Sequence, residues 1–379
     1  MADYDRTLPG SQQAFSRRKT LSQFLHLDLV LLTPLLVLVI GGLVVLYSGS
    51  DGDWGTVTRQ LRNQAVAFSA MLFAAQIRLD TYRRWAPALF LVSICLLVLV
   101  PFVGVGAKGA QRWLSLGVVR FQPSEIMKLA MPLMVAAWFT RHTIPPKPAA
   151  LAGALGLVMV PAALIVIQPD LGTSLLVAAS GLFVIFMAGL SWWYIFGAVG
   201  LFAVSAWPAW LFLMKDYQKQ RVLTLLDPES DKLGAGWNII QSKTAIGSGG
   251  WSGKGWMQGT QSHLDFLPES QTDFIIAVLA EEFGLRGVLI LLLVYLLIIL
   301  RGFWIGLKAQ TGFGRLLAGA ITLTFFVYVF VNMGMVAGIL PVVGVPLPLV
   351  SFGGTSMVTL LLGFGVLMAI STEKRVIDQ

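Results

Sequence analysis

Residues 29–48 read LVLLTPLLVLVIGGLVVLYS, with no charged side chain among them. An α-helix rises 1.5 Å per residue, so this stretch is about 30 Å long, the thickness of a bilayer's hydrocarbon core. Backbone groups in lipid must find their partners internally, which makes so apolar a run a helix. Similar runs follow at roughly 63–78, 86–104, 121–140, 149–167, 171–189, 192–213, 274–300, 314–338 and 352–371. The second is the weakest, because Gln64 and Gln76 interrupt it. The reading is an all-α polytopic membrane protein of about ten transmembrane helices, with a large loop between the seventh and eighth.

Composition agrees. Of 379 residues, 56% are hydrophobic and 12% charged, against roughly 25% charged in soluble domains. Mean hydropathy is +0.77. So few charges cannot cover the surface of a soluble enzyme, a nucleic-acid binder or a disordered scaffold. The net charge of +8 suits basic residues at cytoplasmic helix ends. Arg6, Arg17, Arg18 and Lys19, then Arg83 and Arg84, Arg141 and Lys147, Arg301, Lys308 and Arg315, and Lys374 and Arg375 fall on one side if both termini are cytoplasmic. The expected organisation is a cytoplasmic tail over 1–27, one membrane domain over 28–371 with an outward loop at 214–272, and a second tail over 372–379. Amphipathic pieces at Lys219–Leu226 and Trp237–Ile246 suggest short interfacial helices. Cys95 is the single cysteine, so no intrachain disulfide can form.

Ionisable residues inside spans mark function by default. Glu125 and Lys128 stand three residues apart in QPSEIMK, on one helix face, as either a structural ion pair or the lining of a polar cavity. Asp170, in QPDLGTS, either caps the next helix or faces a cavity. Glu281 and Glu282 lie inside the eighth span, with Arg286 or Lys128 as expected partners. Asp273 closes the long loop where it enters that span, a carboxylate at the membrane boundary beside a helix N-terminus. It is either a helix cap or a catalytic acid or base, with Asp265, Glu269 and His263 near enough in sequence to compete. Gly247–Gly255, which includes Lys254, resembles an anion-binding loop without P-loop spacing, or is a flexible turn. The Pro346–Ser356 segment breaks the chain at the mouth of the last span and is placed at the rim of a cavity.

Taken in order, the motifs Gly109-Ala110-Gln111-Arg112-Trp113, Gln122-Pro123-Ser124-Glu125, Gln168-Pro169-Asp170-Leu171-Gly172, Gly253-Lys254-Gly255, Leu267-Pro268-Glu269, Thr272-Asp273-Phe274 and Pro348-Leu349-Val350-Ser351-Phe352-Gly353-Gly354 resemble the SEDS family (shape, elongation, division and sporulation) of bacterial membrane proteins. The likeness runs from the first span to Ser371 and is nearest to the elongation branch. Gln271 departs from the histidine that many members carry there. The resemblance implies a peptidoglycan glycosyltransferase in the bacterial cytoplasmic membrane that polymerises lipid II on the outer face and releases undecaprenyl pyrophosphate. It implies a class B penicillin-binding protein as transpeptidase partner, together with other proteins of the elongation machinery. On this reading Asp273 is the general base of an inverting transfer. Lys128, Arg112 and Lys254 face the pyrophosphate, Glu125 orients Lys128, and Trp113, Asp170, Ser351, Gly353 and Gly354 shape the substrate site. No cofactor is required by any motif; a divalent cation could stand in for one of the basic side chains. The alternatives are a lipid II flippase or other amphiphile transporter, and a non-catalytic scaffold.

Overall fold

The computed structural model describes residues 26–107, 110–115, 120–231, 234–263 and 269–373. It is 76% helical. Among the described residues ten helices follow the apolar runs: α1 (Leu29–Gly49), α2 (Trp54–Gln76), α3 (Leu79–Val103), α4 (Pro123–Phe139), α5 (Pro148–Ile167), α6 (Leu171–Met187), α7 (Trp192–Pro208), α11 (Ile275–Lys308), α12 (Gly312–Val336) and α13 (Thr355–Ser371); six of them, α1, α3, α5, α7 with its following turn, α11 and α12, are long and apolar enough to cross a membrane. In the long loop lie α8 (Asp216–Leu226), α9 (Ala235–Gly249) and the single turn α10 (Thr260–His263). A small antiparallel ribbon, β1 (Val105–Ala107), β2 (Ala110–Ser115) and β3 (Arg120–Phe121), joins α3 to α4. Val105 lies opposite Trp113 and Ser115 opposite Arg120. The sequence reading did not foresee these strands.

Two ends of the bundle are defined by contacts. At one, Asp28 caps α1 by accepting from Leu31 N at 3.1 Å and pairs with Arg301 of α11 at 2.6 Å. The start of α12 meets the start of α3 and the end of α13 there, through Gly314, Leu79 and Ile370. The other end holds the mouth of α11.

Helix α2 begins at Trp54 rather than near 63. Its early polar residues looked like a connection. They are an inward face instead: Gln60 is 1% and Gln64 5% exposed, turned toward α13. The backbone of α2 comes so close to Gly365 of α13 that a β-carbon there would lie 2.4 Å from Met71 O. By contrast α7 buries no residue at all. It ends in a π-turn, Ala209–Leu213.

Helix α11 is broken. Gly284 has φ 64° and ψ −163°, in a left-handed region open chiefly to glycine. The stretch after α9 fills the break. Leu285 N donates to Gly250 O (2.9 Å) and Arg286 N to Trp251 O (3.3 Å), while Lys254 N and Gly255 N donate to Glu281 O and Glu282 O, both at 3.0 Å. The fit is tight: a β-carbon on Gly253 would stand 2.0 Å from Glu282 O.

Candidate active site

The site is built where the turn before α11 meets the Pro346–Gly354 rim. Thr272 N and Phe274 N both donate to Glu269 O, at 3.1 and 3.2 Å, and Thr272 Oγ1 donates to Glu269 Oε2 at 2.8 Å. This closed turn presents Asp273, which is half-buried. The rim is stitched to the same turn. Phe352 N donates to Gln271 O at 2.9 Å, and Ser351 Oγ donates to Thr272 O at 2.5 Å. Asn332 of α12 donates to the Asp273 carbonyl at 2.8 Å. Gly344 turns its hydrogen side toward the carboxylate, since a β-carbon there would lie 3.5 Å from Asp273 Oδ2.

The rim is itself braced. Leu347 N donates to Ser351 Oγ at 2.8 Å and Tyr295 OH donates to Pro348 O at 2.7 Å. Gln60 clamps it from α2, donating to Ser351 O (3.2 Å) and accepting from Gly353 N (3.3 Å). Ser351 is 3% exposed, and its hydroxyl both donates and accepts within the protein. It ties the rim to the turn that carries Asp273. Gly354 faces Asn63 of α2.

Beneath the rim lies a cleft. A narrow space of about 10 Å³ under Pro346–Gly353 shares Tyr328 and Leu360 with a second of about 40 Å³ lined by Lys128, Thr359 and Phe325. Lys128 Nζ is 2.6 Å from Glu125 Oε1 and 5.0 Å from the Tyr328 ring centroid. Thr359 Oγ1 donates to Glu125 Oε2 at 3.0 Å. The ion pair is thus fixed in the bundle, and Lys128 is its member that lines the space.

Arg112 and Asp170 form a second charged pair. Arg112 Nη1 is 3.6 Å from Asp170 Oδ2, and Arg112 also donates to Pro169 O. Asp170 does cap α6, accepting from Thr173 N at 3.1 Å, and it accepts from Gln122 Nε2 at 3.1 Å as well. Gly172, two residues on, packs against Val343 O. The pair therefore flanks the 343–345 segment that lies beside Asp273. Trp113 is half-buried in β2, next to Arg112.

The glycine-rich loop around Lys254 is engaged within the protein: Gly253 N donates to Gly249 O, Lys254 N and Gly255 N donate across the α11 break, and Lys254 Nζ pairs with Glu281 at 2.6 Å. One expectation fails on geometry, the partner of Glu281. Glu281, 0% exposed, also accepts from Thr260 N (2.8 Å) and Gln261 N (3.1 Å). Its partner is Lys254, not Arg286 or Lys128. Glu282 accepts from Ser48, and Arg286 stacks over Trp251 at 5.7 Å. Lys108, Gly109, Asp265, Leu267, Pro268 and the side chain of His263 lie outside the described residues. Among the described residues no three Asp, Glu, His or Cys side chains gather as metal ligands.

Sequence reasoning missed Gln60, Asn332, Tyr328 and Thr359. Asn332 carried a signal, as a lone amide in the apolar run Phe330-Val331-Asn332-Met333.

The chain resembles known proteins over nearly its whole length. The chain is 55% identical to the peptidoglycan glycosyltransferase MrdB of Escherichia coli K12 over 362 residues, covering 96% of this chain and 98% of that protein. A solved peptidoglycan synthase complex, described as coordinating polymerization and crosslinking, contains a chain that superposes with a TM-score of 0.80 at 30% identity, covering 91% of this chain and 97% of that one. The rod shape determining protein RodA of Thermus thermophilus superposes with a TM-score of 0.68 at 28% identity, covering 91% and 96%. The family described as FTSW/RODA/SPOVE, cell cycle protein, matches residues 22–376, and the chain belongs to that family, the SEDS proteins.

Proposed function

We propose that this integral membrane protein, a peptidoglycan glycosyltransferase of the SEDS family, polymerises lipid II at the Asp273 mouth of α11. One observation carries the reading. The backbone that carries half-buried Asp273 is locked between a closed turn and a braced rim, and a lysine lines the space that adjoins the one under that rim. Asp273 takes the proton from the 4-hydroxyl of the acceptor N-acetylglucosamine. The freed oxygen attacks the anomeric carbon of the N-acetylmuramic acid on the growing chain from the face opposite the leaving group. The bond to pyrophosphate breaks, configuration inverts, and undecaprenyl pyrophosphate departs.

A carboxylate base contributes about 10²–10⁴-fold. The remainder comes from alignment and from cations that meet charge developing on the leaving group. Lys128 and Arg112 fill that role; Lys254, committed to Glu281, does not. Glu125 holds Lys128, and Asp170 holds Arg112. Asp273 then faces the outside of the cytoplasmic membrane, and the Asp28–Arg301 end, beside which Glu373 lies, faces the cytoplasm. A class B penicillin-binding protein supplies the crosslinking activity. Its membrane helix packs on the lipid-facing side of α11 and α12, where Phe326 and Phe330 are exposed and stack at 6.0 Å.

The test uses purified full-length protein with that partner in detergent, given lipid II and no gradient. Glycan strands form with the native chain. Folded Asp273→Asn and Asp273→Ala lose at least 100-fold. Strand synthesis at the native rate by Asp273→Asn would remove Asp273 from the base role.

A further inference from the structure

Asn332 is 0% exposed in the last turns of α12, within the apolar run Phe330-Val331-Asn332-Met333. Its amide nitrogen donates to two carbonyls from different segments: Asp273 O at 2.8 Å and Val345 O at 2.7 Å. Its Oδ1 is buried and has no donor among the described residues. A buried acceptor without a donor costs stability. Local rules of this kind are broken chiefly at functional sites.

We infer that Asn332 is the positioning residue of the active site, a two-pronged clamp that sets the Asp273 backbone at a fixed distance from residue 345. The inference rests on Asp273 being the base. The chemistry explains the residue type. One nitrogen carrying two hydrogens can reach two carbonyls at once. Serine has one hydrogen to give, an ionised aspartate has none, and leucine keeps the bulk without any donor. The clamp also sets Gly344 beside the carboxylate, where a β-carbon would lie 3.5 Å from Asp273 Oδ2, and its φ of 77° is a conformation that favours glycine. Asn332 itself touches no reacting atom. It acts through Asp273.

The experiment measures kcat and KM for lipid II with the full chain and its partner in detergent, alongside thermal melting. Asn332→Leu is expected to lower kcat about 100-fold, the scale of a 1 Å misplacement, while KM stays within about threefold of native. Asn332→Ser, which keeps one donor, is expected to fall between native and Asn332→Leu and serves should the leucine variant not fold. Asp273→Glu already displaces the carboxylate, so adding Asn332→Leu to it is expected to cost little more. A native kcat for folded Asn332→Leu or Asn332→Ser overturns the clamp. So does a loss in Asp273→Glu/Asn332→Leu equal to the product of the single losses. Native activity in Asp273→Asn overturns the base reading and the clamp with it, whereas a dead Asp273→Asn beside a native Asn332→Leu overturns the clamp alone.

Discussion

Removing Lys128 alone, and removing it together with the charge on Glu125, separates scaffold from chemistry. The two side chains are 11% and 9% exposed and stand 2.6 Å apart. Lys128→Met keeps most of the stem but strands the carboxylate with the Thr359 hydroxyl, 3.0 Å away. Breaking a buried pair this way costs about 3–5 kcal/mol. The neutral double variant Lys128→Met/Glu125→Gln leaves no uncompensated charge. Replacing both members of a buried pair is commonly neutral or stabilising, so its melting temperature should return to the native value or above. Activity should not return with it. Losing one cation aimed at a developing oxyanion costs about 10²–10³-fold, or about 2.7–4 kcal/mol at 1.36 kcal/mol per decade. The assay is initial-rate lipid II polymerisation by purified, partner-bound protein, with melting followed on the same preparations. A double variant that melts like the native chain and polymerises at the native rate would refute the reasoning, because the pair would then be scaffold alone.

Three further outcomes follow from the geometry. Gly284→Ala puts a β-carbon 2.3 Å from Gly253 N and forces an L-residue to φ 64°; with backbone strain of about 1–3 kcal/mol and hydrogen bonds across the break worth about 1 kcal/mol each, it should melt well below Gly41→Ala, whose new atom meets nothing within 4 Å. Asp28→Ala should destabilise by about 3–5 kcal/mol, because it strands Arg301 and uncaps α1; equal melting of the variant and native protein would show the pair to be idle. Tyr295→Phe removes the donor to the buried Pro348 carbonyl and should cost about 1–3 kcal/mol, read as a lower melting midpoint.

The span count was legible because lipid leaves the chain one way to satisfy its backbone. Runs such as 29–48 and 149–167 coincide with α1 and α5 to within a residue or two. The exceptions have physical causes. The start of α2 was hidden because Gln60 resembles a loop residue until its partners, Ser351 O and Gly353 N, are known. Hydropathy also cannot separate lipid from protein as the apolar neighbour, so α7 and α12 looked alike although one buries nothing and the other most of its surface. Within the site, Glu125–Lys128 was readable from a three-residue spacing on one helix. The partners of Glu281 were not, because they depend on a break at Gly284 that no periodicity announces. Asp273 was singled out by position alone; what holds it comes from residues 332 and 351, far along the chain.

The interruption of α11 also settles a problem of length. Unbroken, Ile275–Lys308 would be a rod of about 51 Å at 1.5 Å per residue, much longer than a lipid core of about 30 Å. Divided at Gly284, the portion from Leu285 onward is about 36 Å, which a modest tilt accommodates. The preceding piece is released from crossing duty and can sit at its own angle. Bilayers of different thickness would therefore be met by leaning the longer rod about the break, where both pieces stay tied to the α9 connection.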